Sequence, residues 1–272
     1  MNFDTPNNDC YSYSYEFDAG TSSWSRGAPR ANCGIAADGP INLKSKINGN
    51  ANSLVNPGVV YLPLGNPSGD VSGDVCEGPG CHSYSLPVIS NSWSSFCGTT
   101  NDIAVSADMT LGSGGCYRDI EINNNRTLYL SDTTTPYYIR TVDFRANNAH
   151  LSFGTNGVVP QGEKVTVYVQ EIAGDHMNGN QFYNAGNAPH QVEFTYIGTS
   201  PFTFNGTADF NAFFTAPNAP VTVNGNFNYY GGIWATSLDI GGSARVWADE
   251  AGTVSVLSDM NFSIKKASQR YR

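Results

Sequence analysis

The sequence predicts an all-β chain and, within that class, a right-handed parallel β-helix (a β-solenoid) preceded by an irregular, disulfide-bearing N-terminal section. Three observations predict it. Charged residues make up only 14% of the 272 residues, and their place is taken by Asn, Gly, Ser and Thr, which draw the backbone toward turns. The interspersed Val, Ile, Phe and Tyr favour strands. No window longer than about ten residues carries the 3.6-residue apolar spacing of a helix. Finally, short phrases recur: FTFNG begins at Phe202, VTVNG at Val221 and a shortened LDIGG at Leu238.

The recurrence has a period. Phe202 to Val221 and Asn205 to Asn224 are both 19 residues, and Ile122 to Phe144 is 22. A coil of three strands and its corners fills about 18–25 residues, and one coil cannot bury its inward face until another stacks on it. Gly and Asn suit the sharp corners because they tolerate positive φ, and stacked Asn side chains can form a ladder. A β-sandwich or jelly roll with Asn-Gly hairpins is the competing architecture. It gives no reason for phrases to repeat at a fixed interval.

Residues 1–106 form the N-terminal section. YSYSYEF (11–17) alternates like an edge strand, INGN-type turns follow Gly39, and residues 56–105 are an excursion rich in Pro, Gly, Ser and Cys. Residues 107–255 carry the regular coils, and 256–272 a last strand and a basic tail. Within VTVNGNFNYYGGIWATSLDIGG, the inward candidates are Val221, Val223, Ile233, Leu238 and Ile240.

The net charge of −9 argues against a phosphate backbone as partner; the only clustered cations are Lys265, Lys266, Arg270 and Arg272. Six cysteines, Cys10, Cys33, Cys76, Cys81, Cys97 and Cys116, are disulfide candidates whose pairing stays open among 15 possibilities. Cys76 and Cys81 are close enough to close a local loop. Disulfides and an Asn/Gly/Ser-rich surface point to export. No apolar run is long enough to span a membrane, and no signal-peptide core opens the chain, so export implies that a signal or anchor has been removed. Asn125, Asn205 and Asn261 head glycosylation-type triplets.

Chemistry is sparse. Asp119 and Glu121, two apart, share one strand face and lie close to Arg118 and Arg126; the bland reading is a solvated, charge-paired surface, the sharper one a sugar-hydrolysing pair. Asp249 and Glu250 are neighbours and face opposite ways on a strand. His82, His150, His176 and His190 are scattered, and Asp175-His176 falls in a Gly/Asn-rich stretch read as a polar loop. No metal site or cofactor is expected, with SGDVSGD (68–74) leaving only a weak opening for calcium. The aromatics Phe210, Phe213, Phe214, Phe227, Tyr229, Tyr230, Trp234 and Trp247 cluster in successive coils. Most are read as core, and Tyr229, Tyr230 and Trp247 as a candidate outward binding strip.

The phrases FTAPNAP (214–220), VTVNGNFNYYGG (221–232) and ATSLDIGGSARV (235–246), closed by Asp249-Glu250, resemble the C-terminal coil region of bacterial envelope proteins associated with type IV pili. With Cys10, the INGN coils and LGSGGCYRDIEI (111–122), the upstream layout resembles the N-terminal region of MshQ-like MSHA-pilus biogenesis proteins and, more loosely, PilX-like pilus proteins. About 200 residues carry the resemblance. The prepilin-type apolar N-terminal helix and the later domains of the MshQ-like group are absent. The resemblance implies a non-enzymatic, extracellular adhesin or assembly module. Its partners would be pilus or envelope proteins or surface glycans, and its uncapped coil end would allow homo-oligomers or filaments. The other readings are a carbohydrate-active β-helix enzyme and a phage or toxin receptor-binding rod.

Overall fold

The structure is a computed structural model that describes residues 88–98, 101–174, 176–178, 181–184, 186–206, 209–224, 228–240 and 245–249, together with nine short strands between Asn2 and Glu77. The chain is all-β, and its strands pair almost entirely in parallel. No helix among the described residues is long and apolar enough to cross a membrane.

The repeated phrases are strand partners. Phe202, Thr203 and Phe204 lie opposite Val221, Thr222 and Val223, which in turn lie opposite Leu238, Asp239 and Ile240. Ile122 lies opposite Phe144, the 22-residue interval seen in the sequence. Each phrase therefore recurs once per layer, with its apolar positions in register. That register is strongly specified, because a one-residue slip would turn the whole apolar set outward.

The layers run up the chain from Ile103–Val105 through Gly115–Ile122, Tyr137–Phe144, Val165–Ile172, Val192–Tyr196, Asp209–Val223 and Asn228–Ile240 to Arg245–Asp249. A second ladder stacks Met109–Leu111, Thr127–Leu130, His150–Phe153 and Phe182–Tyr183. A third set joins His176–Asn178, Phe202–Asn205 and the C-terminal part of Asp209–Val223. The 171–180 stretch read as a polar loop is in part this strand, because His176, Met177 and Asn178 pair with Thr203, Phe204 and Asn205. Register with the Phe202 phrase overrides its Gly/Asn-rich composition.

The inward columns are apolar. Ile103, Ile120, Val142 and Ile172 align in one, and Tyr137, Val167, Phe194, Phe214 and Ile233 in another. Nearly all are fully buried, as are Val221 and Val223 of the third set, while Ile233 is partly exposed and packs against the core. Leu238 and Ile240 hold the register positions opposite Val221 and Val223, but their side chains lie outside the described residues. Toward the C-terminal layers the core turns aromatic: Phe204 has Phe202, Phe210 and Phe214 with ring centroids at 4.9, 4.7 and 4.9 Å.

The corners follow the expected chemistry. FTFNG ends at Gly206, whose φ of 109° an L side chain rarely adopts. Asn125 turns its corner at φ 56°, and Asn148 of the next layer donates to its Oδ1 at 3.3 Å. Asn178 repeats this ladder contact on Asn147 at 3.1 Å. Gly154 marks a close approach, because a Cβ there would stand 2.1 Å from the Val158 carbonyl oxygen.

Order in space departs from order in the chain. Above Asn228–Ile240 and Arg245–Asp249 the next strands are N-terminal. Asn2 and Phe3 pair with Asp239 and Ile240, and Tyr11–Tyr13 pairs with Trp247–Asp249. Ile41–Leu43 and Val59–Tyr61 extend the same sheet further. The chain's own N-terminal strands thus occupy the edge that Asn228–Ile240 and Arg245–Asp249 present, and Val59–Tyr61 becomes the outermost strand on that side. The second half of YSYSYEF forms a hairpin, Tyr15–Asp18 with Ser23–Arg26.

Candidate interaction surface

Tyr229, Tyr230 and Trp247 separate on the structure. Tyr229 is fully buried, its ring stacked on Phe210 at 4.9 Å. Its hydroxyl lies 3.0 Å from the carbonyls of both Ala212 and Gly232, placed to donate to them. Burial pushes its phenol well above the ordinary range. Tyr229 is therefore a core residue and not part of an outward strip, because successive strand residues face opposite ways and its neighbour takes the outer position. That neighbour is Tyr230, half-buried, with Asn211 opposite on one side and Trp247 on the other. Trp247 is placed by register, and its side chain lies outside the described residues.

A further aromatic lies beyond Asn211. Phe182 stacks on Phe210 at 4.0 Å, and the side chains of Asn184 and Asn211 each donate to the other's carbonyl oxygen. Phe182–Tyr183 therefore lies beside the start of Asp209–Val223. Tyr183, the outward neighbour of Phe182, is 57% exposed, with the His150 ring edge-on at 6.3 Å. Asn211, Tyr230 and the Trp247 position are register partners on successive strands, about 4.8 Å apart, with the Asn211 side chain folded onto the Asn184 and Asn187 carbonyls; Tyr183 belongs to the second ladder. The sequence reading missed Tyr183, which is linked to Tyr230 only through the stacking.

A second aromatic group was not legible in the sequence. Tyr138 and Tyr168 are register partners with rings stacked at 5.0 Å and 7°, and Phe96 lies on both at 5.1 and 6.1 Å. Phe96 belongs to a strap, residues 88–98, that crosses successive layers. Asn218 donates to the Ile89 carbonyl at 3.3 Å. Trp93, buried, donates its indole N–H to the Tyr138 carbonyl at 2.9 Å and its backbone N–H to Gln170 at 2.6 Å. Cys97 closes the strap onto Cys116 of Gly115–Ile122 as a disulfide. Burial raises the Tyr168 phenol above its ordinary value, as expected beneath such a cover.

The strap gives a direct prediction. The Cys97–Cys116 bridge spans a sequence separation of 19, and its replacement by serines is expected to cost about 3 kcal/mol of stability by restoring freedom to the unfolded chain. A lower urea midpoint for the Cys97→Ser, Cys116→Ser double variant would show it; an unchanged midpoint would mean that the strap is not coupled to the stack.

The outer carboxylates are engaged. Asp119 accepts both Nε and Nη2 of Arg140, at 2.5–3.1 Å. Glu121 accepts Arg145 at 2.6 Å, and the same guanidinium reaches Asp143 at 3.0 Å. Arg118 pairs with Asp102, holding that carboxyl below its usual range, and Lys164 pairs with Glu193 at 2.6 Å. Asp119 and Glu121 do share a strand face, but each is tied to an arginine of the next layer, Arg140 within Tyr137–Phe144 and Arg145 just past its end. Arg126 takes no part in these pairs. Such exposed pairs contribute little stability; their effect is to fix which residues meet across strands. Asp132 is a turn residue: the Gly114 N–H and the Thr134 hydroxyl and N–H hold its carboxyl well below the ordinary range.

A buried amide network braces the corner after the second ladder. Asn187 Oδ1 accepts the Val159 N–H at 2.6 Å, and its Nδ2 donates to the carbonyls of Phe153 and Gly157 at 3.3 and 3.2 Å and to Asn184 Oδ1. Gln191 donates to the carbonyls of Val159 and Pro160 at 3.1 and 2.9 Å and accepts the Ala188 N–H at 3.1 Å.

Among the described residues, no three His, Cys, Asp or Glu side chains converge as metal ligands would. The calcium-type segment 68–74, His82, Phe227 and Glu250 lie outside the described residues, as do the side chains of Cys10, Cys33, Cys76, Cys81, His176 and Asp249. Neither curated proteins nor solved structures offer a match to the chain. The profile of one family, described as a domain of unknown function (DUF7305), matches residues 79–253. That span is more than half of the chain and takes in the strap and every layer from Ile103 to Asp249. The chain therefore belongs to the DUF7305 family.

Proposed function

We propose that this chain is a right-handed parallel β-solenoid that serves as a non-enzymatic display or assembly module on the cell surface, in a type IV pilus-like system. The observation that carries the reading is the residue-for-residue parallel pairing of the repeated phrases, FTFN on VTVN on LDI, with their apolar positions inward. Coils stacked in this way form a stiff rod, and rods suit contacts held at a distance from a surface. The right hand follows from the strong preference of parallel strand connections for that sense.

Three further features support it. The Cys97–Cys116 bridge suits an oxidising, extracytoplasmic setting. The carboxylates offered by the sequence for sugar hydrolysis, Asp119 and Glu121, are held by Arg140 and Arg145. The exposed Tyr183 ring and the half-buried Tyr230, with Trp247 next in register to Tyr230, offer amphipathic rings to a pilus or envelope protein or to a surface glycan. The resemblance of the FTAPNAP and VTVNGNFNYYGG phrases to pilus-associated envelope proteins adds the setting.

The test is labelling of intact producing cells with an antibody to the chain, before and after extracellular protease. Surface label that protease removes is the expected result. Label that appears only after permeabilisation would overturn the reading.

A further inference from the structure

The C-terminal edge of the stack is closed by strands that do not follow it in the chain. Up to Asp249 each layer is wound onto the last by the intervening corner. The next layer, Asn2–Phe3 on Asp239–Ile240 and Tyr11–Tyr13 on Trp247–Asp249, comes from the opposite terminus. These pairings are short, two and three residues, and they are the register contacts that any parallel strand of this type would make. The family match supplies a second observation. It ends at residue 253 and begins at 79, so the edge belongs to the family unit and the strands that cover it lie outside that unit.

We propose that the N-terminal strands are a donor layer that a second copy of this chain can supply, so that copies join head to tail. The contact in trans is the same as the contact in cis, which is the condition that makes strand exchange between identical chains inexpensive. The joint is heterologous: an N-terminal donor meets a C-terminal acceptor, and each added copy presents a free acceptor or donor in turn. Such joints propagate in one direction unless the rotation closes a ring. Among the described residues, the outermost strands at the two ends of the main sheet, Val59–Tyr61 and Ile103–Val105, each pair on one side only. The inference rests on the stacked-coil reading and is independent of where the protein resides.

The experiment uses two full-length chains. One carries Ser12→Cys and the other Ala248→Cys; these positions are register partners. Neighbouring parallel strands stand about 4.8 Å apart, within the Cα range that a disulfide spans. The two variants are refolded together and oxidised, and linked peptides are read by mass spectrometry. A species of twice 29.2 kDa joined through positions 12 and 248 is the expected result. A mixture that stays monomeric, while the Ser12→Cys, Ala248→Cys double variant closes within one chain, would overturn exchange. Absence of a 12–248 link in both samples would overturn the donor layer itself. Neither result would alter the outcome of surface labelling.

Discussion

Replacing Phe204 by Ala is expected to destabilise the folded chain by about 3–5 kcal/mol, the range for a large buried ring cut back in a core that relaxes only in part. Phe204 is fully buried and is the hub of the aromatic core, with Phe202, Phe210, Phe214 and Tyr229 around it at 4.7–5.9 Å. The edge-to-face geometry of these pairs adds to the burial, and the neighbouring rings are too constrained by their own columns to fill the void. Phe204→Leu keeps most of the volume and should lose much less. Urea unfolding of both variants separates them. An alanine variant within about 1 kcal/mol of the parent would show that the core collapses freely, contrary to the close packing of protein interiors.

Asn187→Leu is expected to be comparably damaging for a different reason. The substitution keeps a similar volume at a site that is only 2% exposed, but it removes every polar atom of the side chain. The Val159 N–H and the Asn184 amide oxygen lose the partner Asn187 supplies. Each buried group left unsatisfied costs about 1–3 kcal/mol, so the pair stands to lose about 2–6 kcal/mol. Hydrogen exchange gives a local signature that Phe204→Ala would not: the Val159 amide should lose protection ahead of the strand amides. Retained protection at Val159 would show that the corner does not depend on Asn187.

The two positions also differ in how far the sequence reveals them. Phe204 is marked by its phrase. It repeats as Val223 in VTVNG, and a residue that recurs at the same place in a 19-residue period must face the same way in every layer. Asn187 carries no such mark. It sits in NAGNAPHQ, which reads like any polar turn, and only the path of the corner over Phe153, Gly157 and Val159 makes its amide structural.

The candidate surface divides along the same line. The sequence placed Tyr229 and Tyr230 together because both are aromatic in a turn-rich phrase. Strand geometry sends one inward and one outward, and the choice is made by Phe210, whose ring Tyr229 must cover. Phe182–Tyr183 comes beside the start of Asp209–Val223 because Phe182 stacks on Phe210. Phe96 meets Tyr138 and Tyr168 because Cys97 ties the strap to Cys116. Tyr229 follows Phe210 by one 19-residue interval, whereas the positions of Tyr183 and Phe96 follow no such interval and leave no trace in spacing.

By itself, then, the sequence determined what is local and repetitive: an all-β chain, its parallel register, the Asn and Gly corners and the inward columns. These follow from composition and period, since a repeated phrase forces equivalent residues into equivalent places. The tertiary structure alone decided what is non-repeating and distant in the chain: the strap, the buried amides, the place of Phe182–Tyr183 beside Phe210, and the N-terminal strands on the C-terminal edge. Those contacts are made once, between segments far apart in sequence, so only the packed arrangement of layers selects which of them meet.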